Sequence, residues 1–260
     1  MIVSKLLYVK LFLICCWLFS VPSALGQSNG FIKMHSHNDY HQNIPFWKAI
    51  SCGFESIEAD VLLQNDSLFV THQWDQIIPD RTLENLYLQP LKKKILLKLG
   101  EDRPLQLLID IKSDAESTLK HLVALFEKYP EITQHDKLKI VISGNRPPTN
   151  AYSDYPDFIY FDHQNLEKIP ETGHWEKVAL ISLNFKKYAS WNGRGEMDEK
   201  DRKIVEKIVH KAHSMGRPFR FWGIPDTPAS WKLFATLGVD YINTDDPIGL
   251  SAHLKTLLLR

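Results

Sequence analysis

Cysteine is scarce in this 260-residue chain: there are three, and Cys15 and Cys16 lie in an apolar N-terminal stretch. Cleavage of that stretch leaves Cys52 alone and excludes an intramolecular disulfide, so the core must hold itself together. Net charge is also lacking, with 31 basic and 31 acidic residues. No basic face is evident, which argues against a nucleic-acid partner and against strong attraction to anionic membranes. Low-complexity tracts, long linkers and sequence repeats are absent. So is a long hydrophobic run: the apolar segment Leu11–Phe19 is too short for a comfortable membrane span.

That segment has another use. Lys5 and Lys10 precede it, Ser20-Val21-Pro22 follows, and Ala24 and Gly26 stand three residues and one residue before a cleavage point at Gln27. The pattern is that of a secretory signal peptide over residues 1–26, so the protein is expected to be exported, either periplasmic or secreted. The remaining residues 27–260 suit one large domain.

Within them, strand patterns alternate with helical ones. Strand-like runs fall at 31–37, 56–62, 105–111, 138–143, 158–162, 178–183, 217–222 and 239–243, and a further extended piece falls at 68–72. Helical patterns occupy 114–128, 198–214, 228–237 and 248–259, with Asp114, Asp198 and Thr227 as starts. Gly53, Gly216 and Gly238 follow helical segments, as helix ends prefer. Eight strands alternating with helices predict a single-domain α/β fold, a (β/α)8 TIM-type barrel. An open doubly wound sheet fits less well, because no glycine-rich phosphate loop follows the first strand.

Strand residues two apart share a face. Several of the predicted strands end in polar pairs at that spacing: His35 and His37, Glu58 and Asp60, Asp110 and Lys112, Arg220 and Trp222, Asn243 and Asp245. Charges inside a barrel are costly unless they are paired or bind something. Gathered at the C-terminal strand ends they define a mouth, where barrel enzymes place their chemistry. Glu58, Asp60 and Asp110 together would repel one another, and a hard divalent cation, Mg²⁺ or Ca²⁺, would relieve this. Such a cation beside Lys112 makes a phosphate site. His37 and His72 would flank a bound phosphodiester as acid and base.

The order His37-Asn38, Glu58-Ala59-Asp60, His72, Asp110-Ile111-Lys112, Trp222 and "GVDYINTDDP" resembles the phosphatidylinositol phospholipase C-like phosphodiesterase superfamily. That superfamily includes glycerophosphodiester phosphodiesterases and sphingomyelinase D-like enzymes. The stretch Ser36–Tyr40, with "RTLENLYLQPL" at 81–91, is similar to the altered-inheritance-of-mitochondria protein 6-like branch. The resemblance implies a TIM barrel, a metal on Glu58, Asp60 and Asp110, catalytic His37 and His72, and Lys112 on the phosphate. It also implies that Trp222 lines the substrate side. His35, Asn38 and Asn243 are expected to contact substrate as well.

This chain has His-Asn-Asp where glycerophosphodiesterases have His-Arg-Gly, and His72-Gln73 in place of His-Asp. Asp110 stands where glutamate is usual, as in the sphingomyelinase D-like members. The 37 residues between His72 and Asp110 leave little room for a cap. The expected function is therefore an exported, metal-dependent phosphodiesterase acting on glycerophosphodiesters or phospholipid-derived substrates, with no protein partner implied. "LKKKILLK" at 91–98 would allow transient membrane-surface contact, although a solvated helix face explains it better. The alternatives are a non-catalytic barrel that holds a phosphate ester, and an amidohydrolase-like metal site using His163.

Overall fold

A computed structural model describes residues 32–100, 102–167 and 171–258. The expected signal peptide lies outside these residues. Among the described residues, no helix is long and apolar enough to cross a membrane.

Among the described residues, nine strands form one sheet: β1 Lys33–Ser36, β2 Ser56–Gln64, β3 Ser67–Val70, β4 Leu105–Ile111, β5 Leu138–Gly144, β6 Ile159–His163, β7 Val178–Asn184, β8 Phe219–Trp222 and β9 Tyr241–Thr244. All but β3 pair in parallel, in the ring order β1-β2-β4-β5-β6-β7-β8-β9. Pairing of β1 with both β2 and β9 closes the barrel. The fold is the single-domain TIM barrel that the strand pattern predicts. The extra segment at 68–72 becomes β3, which folds back antiparallel on the end of β2.

The helices are α1 Trp47–Cys52, α2 Gln89–Leu96, α3 Ala115–Phe126, α4 Pro130–Thr133, α5 Thr172–Glu176, α6 Glu199–Ser214, α7 Pro228–Thr236 and α8 Pro247–Leu258. Asp114, Asp198 and Thr227 cap α3, α6 and α7 by accepting backbone N–H bonds from Ser117, Asp201 and Ser230. The outer layer is uneven. Among the described residues, a 3₁₀ segment, Thr149–Asp154, lies between β5 and β6, and the five-residue α5 between β6 and β7. The barrel wall is thinly covered there.

Alternation along the strands makes two cores. Leu107, Ile109 and Ile111 of β4 face outward into the large helix-backed core, with Ile140 and Ile142 of β5. Leu108, Val141, Leu180 and Tyr241 form a separate small cluster. Each of them lies two residues before a polar group: Asp110, Ser143, Ser182 and Asn243. The barrel interior is thus an apolar plug beneath a polar layer, and that layer floors the mouth.

Candidate active site

Three carboxylates meet at this floor. Glu58 and Asp60 come from β2 and Asp110 from β4, with Asp60 and Asp110 in direct register. One oxygen of each lies within 4.8 Å of the others. Glu58 and Asp60 are buried, at 3% and 0% exposure. Each of these two commits one oxygen to protein donors. Glu58 Oε2 accepts from Arg220 Nη1 at 2.6 Å and from His35 Nε2 at 2.7 Å. Asp60 Oδ2 accepts from His72 Nδ1 at 2.6 Å and from the Tyr40 hydroxyl at 3.0 Å, with Lys112 Nζ 3.4 Å away. Asp60 Oδ1 is left buried with no hydrogen-bond partner. Asp110 Oδ1 has the ion pair with Lys112 at 3.1 Å. Buried, all-oxygen and partly unsatisfied, this donor set fits a hard divalent cation.

The electrostatics follow from the packing. Burial works against an ionised Glu58, but the Arg220 charge and the His35 hydrogen bond outweigh it and hold the carboxyl well below the usual range. Asp110 is pushed up to about 6, by burial and then by the Glu58 charge, with Lys112 pulling the other way. Burial disfavours the Lys112 ammonium, yet Asp110 and Asp60 keep its pKa raised. Three carboxylates against two fixed cations leave one negative charge. A divalent cation would invert that to a net positive charge, suited to a phosphate.

His37 and His72 are anchored in the same way. His37 Nδ1 donates to Asp245 Oδ1 at 2.7 Å, and His72 Nδ1 donates to Asp60. A carboxylate only accepts, so each ring keeps Nε2 for the cavity. For His37, burial disfavours the imidazolium, but the Asp245 bond and the Glu58 and Asp245 charges prevail and raise its pKa. Both rings line a cavity of about 410 Å³, as do Asn38, Lys112, Arg220 and Trp222. Asn38 turns the chain after β1 in the left-handed region, φ 45°, which asparagine tolerates.

Two of the expected substrate contacts, His35 and Asn243, lie outside the cavity lining. His35 is fully buried below the cavity. Gln106 donates to Ser56 Oγ, Ser56 donates to His35 Nδ1, and His35 Nε2 donates to Glu58. Burial, and then Arg220, push its pKa down to about 3, so the ring is neutral. Asn243 is 6% exposed and lies against Arg220 rather than in the cavity lining. His163 is 4% exposed and packs edge-on against Trp175 on the outer face of β6, which removes the extra ligand that the amidohydrolase reading needed.

Sequence reasoning did not place Arg220 or Asp245 in the machinery, although it singled out both as strand-end residues. Ser143 on β5 and Asn145 just after it, and Asp162 on β6 and Gln164 just after it, were missed. The same two-residue rule applied to β5 and β6 would have found them. Ser143 and Ser182 donate to Asp162, which is fully buried in the polar layer. Gly144 has φ 67°, and a Cβ there would fall 1.9 Å from Asp110 Oδ1, so glycine alone lets β5 end against that carboxylate.

A closed parallel barrel with carboxylates, histidines and fixed cations at the C-terminal strand ends is the arrangement of the phospholipase C-like phosphodiesterase superfamily. Residues 29–104 match the AIM6-like phosphodiesterase domain, and residues 218–248 match the glycerophosphoryl diester phosphodiesterase family. The chain is 30% identical to altered inheritance of mitochondria protein 6 of Kluyveromyces lactis, over 82% of this chain and 70% of that protein. It is 25% identical to the homolog from Arthroderma benhamiae, over 83% and 81%. A glycerophosphodiester phosphodiesterase from Parabacteroides distasonis superposes with a TM-score of 0.54 at 14% identity, covering 87% of this chain and 98% of that one. A glycerophosphodiester phosphodiesterase from Agrobacterium tumefaciens gives 0.51 at 16% identity, covering 86% and 99%. The chain belongs to the altered inheritance of mitochondria protein 6 family.

Proposed function

We propose that this protein is an exported, metal-dependent phosphodiesterase acting on glycerophosphodiesters or phospholipid-derived diesters. One observation carries the reading: a cluster of three carboxylates, two of which line the cavity, meets two carboxylate-anchored histidines and Lys112 there. Glu58, Asp60 and Asp110 would hold the cation, Mg²⁺ or Ca²⁺. When bound, the ion would polarise a phosphoryl oxygen and neutralise charge that develops on it. Lys112 and Arg220 orient and neutralise the diester from the cavity wall and floor. His72, largely exposed, takes the proton of the attacking hydroxyl at Nε2. His37, whose imidazolium is favoured by Asp245, donates from Nε2 to the leaving oxygen. Trp222 and Asn38 shape the substrate side. Export is supported by the residue pattern of 1–26.

The test is a panel of glycerophosphodiesters, lysophospholipids, phosphoinositides and sphingomyelin, assayed with Mg²⁺ and with Ca²⁺. Turnover should disappear with a chelator and fall about 10²–10⁴-fold in His72→Ala. Full activity in both would overturn the mechanism. Tight phosphate-ester binding without turnover anywhere in the panel would instead favour a non-catalytic barrel.

A further inference from the structure

Beyond the Gly144–Asn145 corner lies a second cavity of about 560 Å³, lined by Ser113, Asp114, Arg146, Thr149 and Tyr152. It shares Gly144 and Asn145 with the main cavity. The corner is rigid: Asn145 N–H donates to the Ile111 carbonyl at 2.8 Å, and Asn145 Nδ2 to that of Ser113, also at 2.8 Å.

Arg146 is the unexplained group. Its Nε and Nη1 are shielded from solvent and have no hydrogen-bond partner. Among the described residues no carboxylate forms an ion pair with it. Asp114 lines the same cavity, but its Oδ1 is already engaged by Ser117 N–H and Ser117 Oγ at 2.9 and 2.7 Å. Tyr152 stacks on Phe161 with ring centroids 3.8 Å apart, and its hydroxyl contacts Arg146. Among the described residues Arg146 lines this cavity without an ion-pair partner, so its guanidinium offers a positive charge and its remaining donor to an anion there.

We propose that this second cavity is an anion subsite. Arg146 would receive a phosphate or carboxylate carried on one alcohol of the diester, while the diester phosphorus sits on the other side of the corner. The subsite would select substrates with an extra negative group, and it rests on the phosphodiester reading of the main cavity.

The probes are glycerol phosphate and glycerol bisphosphate, titrated calorimetrically with Mg²⁺ present against wild type, Arg146→Met and Arg146→Lys. Wild type should bind the bisphosphate more tightly. Arg146→Met should lose that preference, roughly ten- to hundredfold, with monophosphate affinity and melting temperature unchanged. Arg146→Lys should keep part of it. In turnover, Arg146→Met should raise KM only for a nitrophenyl phosphodiester bearing a second phosphate on its alcohol. No wild-type preference, or an equal loss for both ligands in Arg146→Met, overturns the subsite. If neither diester is turned over but the bisphosphate preference persists and depends on Arg146, the phosphodiesterase reading falls and the subsite stands.

Discussion

Asp110 is a carboxylate whose protonation approaches physiological pH. In the folded protein without a cation its pKa is pushed up to about 6 from an ordinary 3.8, by burial and by Glu58. The folded state therefore holds a proton that the unfolded state releases. The Asp110 contribution to stability declines as pH rises from about 4 to about 6. A cation reverses the preference, because it needs the ionised carboxylate. We expect Mg²⁺ or Ca²⁺ affinity, measured by calorimetry, to weaken as pH falls through about 6, and melting of chelated protein to shift the opposite way. Affinity that stays flat across that window would show that Asp110 is not a ligand.

At the element scale the decisive piece is the β2–β3 hairpin. Its two-residue loop, Asn65-Asp66, has φ of 48° and 61°, the signature of a turn that suits right-twisted strands. The hairpin fixes the register Val61↔Val70 and returns the chain so that Thr71 N–H donates to the Asp60 carbonyl at 3.1 Å. His72 thereby arrives beside Asp60. Asp66→Val places a β-branched side chain at positive φ and should cost about 1–2 kcal/mol. Urea unfolding should report that loss. Turnover should fall more than cation affinity, because the turn positions His72 and leaves the β2 and β4 carboxylates in place. Equal losses in both would mean that the hairpin serves the whole site.

For the molecule as a whole, Arg220 ties β8 to β2 across the barrel. Its guanidinium is 2% exposed and bonds Glu58 Oε2. Arg220→Met strands a buried carboxylate and should destabilise the protein by about 3–5 kcal/mol, read as a lower urea midpoint in a single transition. A loss under about 1 kcal/mol would show that Glu58 does not depend on this pairing.

Most of this architecture was legible. Short aliphatic and aromatic runs mark all eight barrel strands, and Asp114, Asp198 and Thr227 mark real helix starts. Glu58, Asp60, Asp110 and His72 could be gathered because local strand parity aims them. What local parity cannot show is partnership at a distance. Arg220 and Glu58 are 162 residues apart, and His37 and Asp245 are 208 apart. The short helical cover described after β5 and β6 is likewise set by tertiary packing rather than by local pattern.

Those long separations bear on biogenesis. β1 pairs with β9 from Lys33↔Tyr241 to Ser36↔Thr244, so the first strand waits for the last before the ring can shut. A nascent chain that has emerged as far as β4 already carries Glu58, Asp60 and Asp110. It still lacks the Arg220 counter-charge and the Asp245 anchor. Both of these partners join the carboxylates and His37 only after β8 and β9 have been made and the two ends of the barrel can meet.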